Sequence, residues 1–369
     1  MTNESEPYDD ATTGQKSHRY LRLSLVLIVV ALLLSVTYQS ISSGVLLNSI
    51  SHYFYTPAHA VFVGSLIAAS LALVALSGRD SDPLNGYNIE PVLLDIAAVF
   101  APLIAIVPTG IVSSELMTLK GSNSELLATY GVTKAEDLEM LKGWCGGPKD
   151  DCVPSVYQPS IHVSLWTYII IVLIIVALIL WIRREKLWDR KHRQTRRDES
   201  PQERRRRLTE TLLPPAIALA TALGFAYLAF GPDSAEFPFN FPIIGSSHYA
   251  VTILFFGTFA AVPAVNYLRY RRQPPNPDDQ DPFVKRIRPG LGRFYLSIPI
   301  LMLVDLGLLF VLGVGMKAFP WVFIGEAGAL LLFATFWAVQ TVHRWDDPNA
   351  LYVAGQASTA TETLEETDA

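Results

Sequence analysis

A chain of 369 residues that is 50% hydrophobic and 17% charged is poor in charge, since soluble domains average about 25%. The charges are crowded between long apolar stretches, so the net charge of −5 is no guide to partners. Composition therefore excludes an ordinary soluble domain. It points to membrane helices of about 20 residues, the length that crosses a hydrocarbon layer about 30 Å thick.

In chain order, residues 1–19 form a polar, partly acidic tail expected to be disordered. Eight apolar stretches follow, at 20–41, 58–77, 91–112, 161–182, 213–230, 248–267, 294–316 and 321–342. The first reads as an uncleaved helix, because its apolar run is longer than a signal peptide's and no small-x-small site follows. The fifth is short and opens with Pro214 and Pro215, residues suited to a helix's first turn. The fold class expected is all-α, a polytopic transmembrane bundle of about eight helices with one structured outer loop. Its parts are helices one to four within 20–182, a basic cytoplasmic loop at 183–212, four more helices within 213–342, and an acidic, disordered tail at 343–369.

Orientation follows from Lys and Arg, which collect on the cytoplasmic side. With the N-terminus inside, 24 of the 29 basic residues are cytoplasmic, and Lys120, Lys134, Lys142, Lys149 and Lys317 are outside. Both termini are then cytoplasmic and the expected location is the plasma (inner) membrane of a bacterial envelope. The Arg-rich 183–211 stretch, with Arg204, Arg205, Arg206 and Arg207, reads as a topology determinant touching anionic headgroups, so no nucleic-acid partner is expected.

The outer loop 113–160 holds the only cysteines, Cys145 and Cys152, around a Gly-Gly-Pro. A disulfide is the favoured reading in an oxidising compartment; a two-thiolate metal site or two free thiols are the others. Thr133 and Glu136 form a capping box ahead of Leu138, Met140 and Leu141, so a short amphipathic helix is expected there. It serves either as a packed connection or as a lid. There is no phosphate loop, dinucleotide fingerprint, zincin motif or nucleophile elbow.

Ionisable groups are costly inside a membrane and are functional candidates by default. Asp95, Asp305 and Glu326 fall within the apolar stretches. Glu326 is expected about 7 Å inside the outer boundary. The same level gathers His52, His59, His162 and His248, with Ser49, Ser51, Tyr53 and Tyr55 alongside. Imidazole and carboxylate are zinc ligands, which makes His248, His52, His59 and Glu326 candidates for a zinc ion. They also suit a proton-responsive binding site, and His and Tyr are ordinary interface residues as well. Glu326 needs a partner across the bundle. His248 is the first choice, with Ser49, Ser51 or Tyr53 as the fallback. Asp305 reads as structural glue or a proton relay.

The segment Ser49-Ile-Ser51-His-Tyr53-Phe-Tyr55-Thr56, followed by Val61-Phe-Val-Gly64, resembles a family of uncharacterised bacterial multi-pass membrane proteins with a Ser-x-Ser-x-Tyr-aromatic signature. That resemblance implies fold and membrane location but no reaction. Ser51, Asp95 and His248 also match the residue types of the alkaline ceramidase and adiponectin-receptor-like membrane hydrolases, which hold zinc. The paired histidines of that family's last helix are missing here, since Thr252 stands four residues after His248.

Three functions are expected to compete. The first is binding of a membrane lipid or a partner membrane protein at the outer leaflet. The others are metal-dependent hydrolysis of a lipid or amphiphile, and proton-coupled transport through Asp305 or Glu326.

Overall fold

The computed structural model describes residues 13–77, 89–111, 142–146, 151–188, 201–272, 282–315 and 320–343. Among these, the chain is an all-α bundle. Its helices are α1 (Thr13–Ser43), α2 (His59–Ser77), α3 (Glu90–Ile106), α4 (Gln158–Trp188), α5 (Pro201–Phe230), α6 (Ser247–Arg272), α7 (Pro282–Gly315) and α8 (Trp321–His343). A 3-10 turn (Ile50–Tyr55) joins α1 to α2, and a small hairpin, β1 (Lys142–Gly146) and β2 (Asp151–Pro154), precedes α4. Helices satisfy their own backbone groups, which hydrocarbon requires.

Among the described residues, seven helices are long and apolar enough to cross a membrane. Their outward faces carry large apolar side chains, such as Leu71, Trp166, Ile174, Trp181, Leu303 and Val311, all of them exposed. Water would penalise such a surface, whereas lipid accepts it. The protein is therefore a multi-pass integral membrane protein.

The remaining helix, α3, has 17 residues and spans about 26 Å. The expected stretch 91–112 was longer. The chain leaves the helix at Val107, in extended conformation, because the residue before Pro108 is pushed out of the α region. The helix still runs the depth of the bundle. Glu90 in its first turn accepts a bond from Gln340 near the end of α8 at 3.2 Å, and the Val107 carbonyl meets His248 at the start of α6. Ala97, Ala101 and Ala105 on α3 are fully buried and let neighbouring helices come close.

The fifth helix departs from expectation. It starts at Pro201 rather than near residue 213, so Pro214 and Pro215 lie inside it. Pro201 supplies the preorganised first position instead. The basic 183–212 stretch is thus partly helical, with α4 running to Trp188 and α5 carrying Arg204 to Arg207. Likewise α7 begins at Pro282, ahead of its apolar part. A helix started in lipid propagates into the flanking polar residues, because each added residue gains a hydrogen bond without a new nucleus.

The packing is a closed ring, in which α1 touches α2, then α3, α6, α7 and α8 in turn, and α8 returns to α1. The α4–α5 pair docks outside the ring against α3. One end of the ring's interior is filled by Phe259, Phe333, Phe336 and Trp337, with Phe259 and Phe333 ring centroids 4.4 Å apart. Near the other end, Ser40 of α1 bonds Tyr53, and the Asn48 carbonyl accepts from the first-turn amide of Phe323 in α8 at 2.8 Å. The last turn of α1 and the first turn of α8 therefore share a level, so the far ends of these two helices, at Thr13 and His343, lie on the same side.

Strands β1 and β2 pair in antiparallel register with Cys145 opposite Cys152, and Ile111 bridges to Cys152 through two backbone bonds. The capping box at Thr133–Lys–Ala–Glu136, the rest of loop 112–141, and the terminal tails 1–12 and 344–369 lie outside the described residues.

Candidate functional site

The site is organised by the 3-10 turn Ile50–Tyr55, all six residues of which are buried. A buried polar turn is stable only if its groups are paired, and here they are. Ser49 caps it, accepting from the Ser51 amide at 3.0 Å. The Tyr55 hydroxyl donates to the Thr109 carbonyl at 2.7 Å, and His52 Nε2–H donates to the Gly110 carbonyl at 3.0 Å. His59 Nδ1–H donates to the Phe54 carbonyl at 2.7 Å, while Tyr53 bonds Ser40. The segment after α3 and the start of α2 thus clamp the turn from two sides.

Glu326 enters from the second turn of α8. Its carboxylate accepts the Ser49 hydroxyl at 2.9 and 2.8 Å and the Ile50 amide at 2.5 Å, and Ser51 Oγ lies 3.4 Å from it. A carboxylate at this depth without donors would cost several kcal/mol. The turn supplies those donors from residues remote in sequence.

His248, in the first turn of α6, is almost wholly buried. Its Nδ1 lies 2.6 Å from the Val107 carbonyl and its Nε2 lies 2.8 Å from Ser51 Oγ. A carbonyl only accepts, so the Nδ1–H is assigned as the donor. In the neutral ring Nε2 is then an acceptor aimed at the Ser51 hydroxyl. Glu326 and His248 therefore meet through Ser51 rather than directly.

Beneath this polar cap lies a cavity in the ring's interior, lined almost wholly by apolar groups. Val29 and Leu32 of α1, Leu66 and Ala69 of α2, Phe255 of α6 and Phe333 of α8 form its wall, and Ser51 and Glu326 line it as well. From Glu326 to Phe333 the cavity runs about 10 Å along α8. Thr252, one turn below His248 on the same face, also lines it. Its hydroxyl is shielded and has no hydrogen-bond partner among the described residues.

The structure thus brings together Glu326, His248, Ser49 and Ser51. His52, Tyr53, Tyr55 and His59 brace the turn through bonds directed elsewhere. Asp305 stands apart: a Cβ added to Gly328 of α8 would come within 3.2 Å of its carboxylate. Asp95 bonds Ser77 at the end of α2 opposite His59, so it does not join Ser51 and His248. The zinc candidates His248, His52, His59 and Glu326 do not converge either. Among the described residues no three His, Cys, Asp or Glu side chains gather around a point, and the ring nitrogens named above are spent on carbonyls and Ser51.

Sequence reasoning missed the Val107 carbonyl, the Thr252 hydroxyl and the cavity. Backbone acceptors leave no mark on composition. Thr252 had a usable signal, its i, i+4 spacing from His248 on a helix otherwise apolar at that level. Comparison with known protein families, with curated proteins and with solved structures finds no match for this chain.

Proposed function

We propose that the protein binds an amphiphilic lipid at the outer leaflet, part of its hydrocarbon chain entering the ring cavity and its polar end against Ser51 and Glu326. One observation carries this reading: a cluster of oriented hydroxyls and a carboxylate caps an otherwise apolar cavity in the membrane region. Apolar cavities do not hold water well and accept hydrocarbon, while a headgroup gains its hydrogen bonds by exchange with those that Ser51 and Glu326 make within the protein. The orientation that goes with it puts both termini in the cytoplasm and the Ser51 end outside the plasma membrane, as the distribution of Lys and Arg favours. A disulfide between Cys145 and Cys152 is part of the same proposal, supported by their opposed register in the hairpin.

The test is native mass spectrometry of the full chain in mild detergent with a monoalkylglycerol ether. The ether should bind at one equivalent. Leu66→Trp, which fills the cavity, should weaken binding at least tenfold, and Ala69→Leu should do so more mildly. Binding that is indifferent to both changes would place the lipid elsewhere and refute the proposal.

A further inference from the structure

We propose that Ser51 is an acyl-transfer nucleophile with His248 as its general base, acting on a lipid ester held in the ring cavity. The inference rests on the amphiphile-binding reading and adds a reaction to it. Three features of a nucleophilic site are present together. The nucleophile's oxygen lies 2.8 Å from the base nitrogen, within proton-transfer reach. The base is oriented by a second bond, 2.6 Å to the Val107 carbonyl, which fixes the tautomer that leaves Nε2 free to accept. A shielded hydroxyl with no partner among the described residues, on Thr252, lines the same cavity as Ser51 and can donate to an oxyanion. An orienting carbonyl here takes the place that a carboxylate has in the Ser-His-Asp arrangement.

The chemistry balances with an alcohol acceptor or water as co-reactant. Ser51 Oγ forms a bond to the ester carbonyl carbon while its proton passes to His248 Nε2. The carbon–oxygen bond to the leaving alcohol then breaks, and that alcohol takes the proton from His248. The acyl group is left on Ser51. The acceptor gives its proton to His248 as it attacks this ester, the carbon–Oγ bond breaks, and Ser51 recovers its proton. Glu326 is a positioning residue: through Ser49 and the Ile50 amide it holds the turn that presents Ser51.

The probe is a long-chain alkyl fluorophosphonate, applied to the full chain in mild detergent and read by peptide mass spectrometry. A phosphonyl adduct is expected on Ser51. Ser51→Ala should lose it, and His248→Gln should slow its formation at least about a hundredfold, the usual worth of a general base. Should His248→Gln fail to fold, Thr252→Val serves in its place, with adduct formation slowed at least about tenfold. An adduct that survives Ser51→Ala overturns the inference. Wild-type protein that binds the ether yet forms no adduct overturns it and leaves the binding reading standing; failure of both ends both.

Discussion

Ser49 donates its hydroxyl to both carboxylate oxygens of Glu326, at 2.9 and 2.8 Å, across 277 residues of sequence. With the Ile50 amide at 2.5 Å, this ties the 3-10 turn to α8 and sets the height at which Ser51 faces the cavity. The contact therefore holds the turn and, on the proposed function, also presents Ser51 to the ligand, and the two parts can be separated by substitution.

Glu326→Gln keeps the shape but replaces one acceptor oxygen with a donor, which then faces the Ser49 hydroxyl or the Ile50 amide. The protein should insert and remain folded, with ether binding weakened at least tenfold. Glu326→Ala leaves buried donors unsatisfied, at about 1–3 kcal/mol for each, and should lower the thermal midpoint in detergent well below that of Glu326→Gln. Equal midpoints for the two variants would show that the carboxylate does not hold the turn.

Gly325 is next to Glu326 and lies against α7. A Cβ there would sit 2.3 Å from Leu309 Cγ, with both Leu309 methyls within 2.6 Å. Gly325→Val should destabilise by about 1–3 kcal/mol, the usual cost of overpacking. Leu309→Ala, which vacates the contact, should recover much of the loss in the double variant. Additive effects of the two changes would mean that α7 and α8 are not in this close contact in the membrane.

Cys145 and Cys152 face each other in the hairpin register, and the proposed orientation puts that hairpin outside. A membrane-impermeant thiol reagent applied to intact cells should label the protein only after reduction. Labelling before reduction would rule out the disulfide. No labelling after reduction would place the hairpin inside, an outcome that a reporter fused near Gly121 would confirm by reading cytoplasmic.

Membrane residence was legible in the sequence, because hydrocarbon is a uniform solvent and its demands are local. Each crossing segment must be apolar and helical over its own length, whatever its neighbours are. Of the eight stretches expected on that ground, seven are, among the described residues, helices long and apolar enough to cross. Helix ends were less legible: α3 stopped early at the residue before Pro108, while α5 ran back through Pro214 and Pro215 to Pro201. The cost of a buried carboxylate is also a local fact, and it marked Glu326 as a residue in need of a partner.

Which partner it took was decided only by the ring order of the helices. Packing α8 beside α1 brought Glu326 to the turn that follows α1, so Ser49 and the Ile50 amide answered it before His248 could. Packing α6 beside α3 brought His248 under the Val107 carbonyl, which set its tautomer and turned Nε2 toward Ser51. The cavity has no sequence signature, because the same apolar side chains would fill a core or line a void. Whether they do one or the other depends on how far apart the ring holds its helices. Residue order alone marks this chain as a membrane protein and places its expensive polar groups along it; that those groups form a cap over an apolar cavity is a property of the packed bundle, because contacts between residues hundreds of positions apart exist only once the helices have chosen their neighbours.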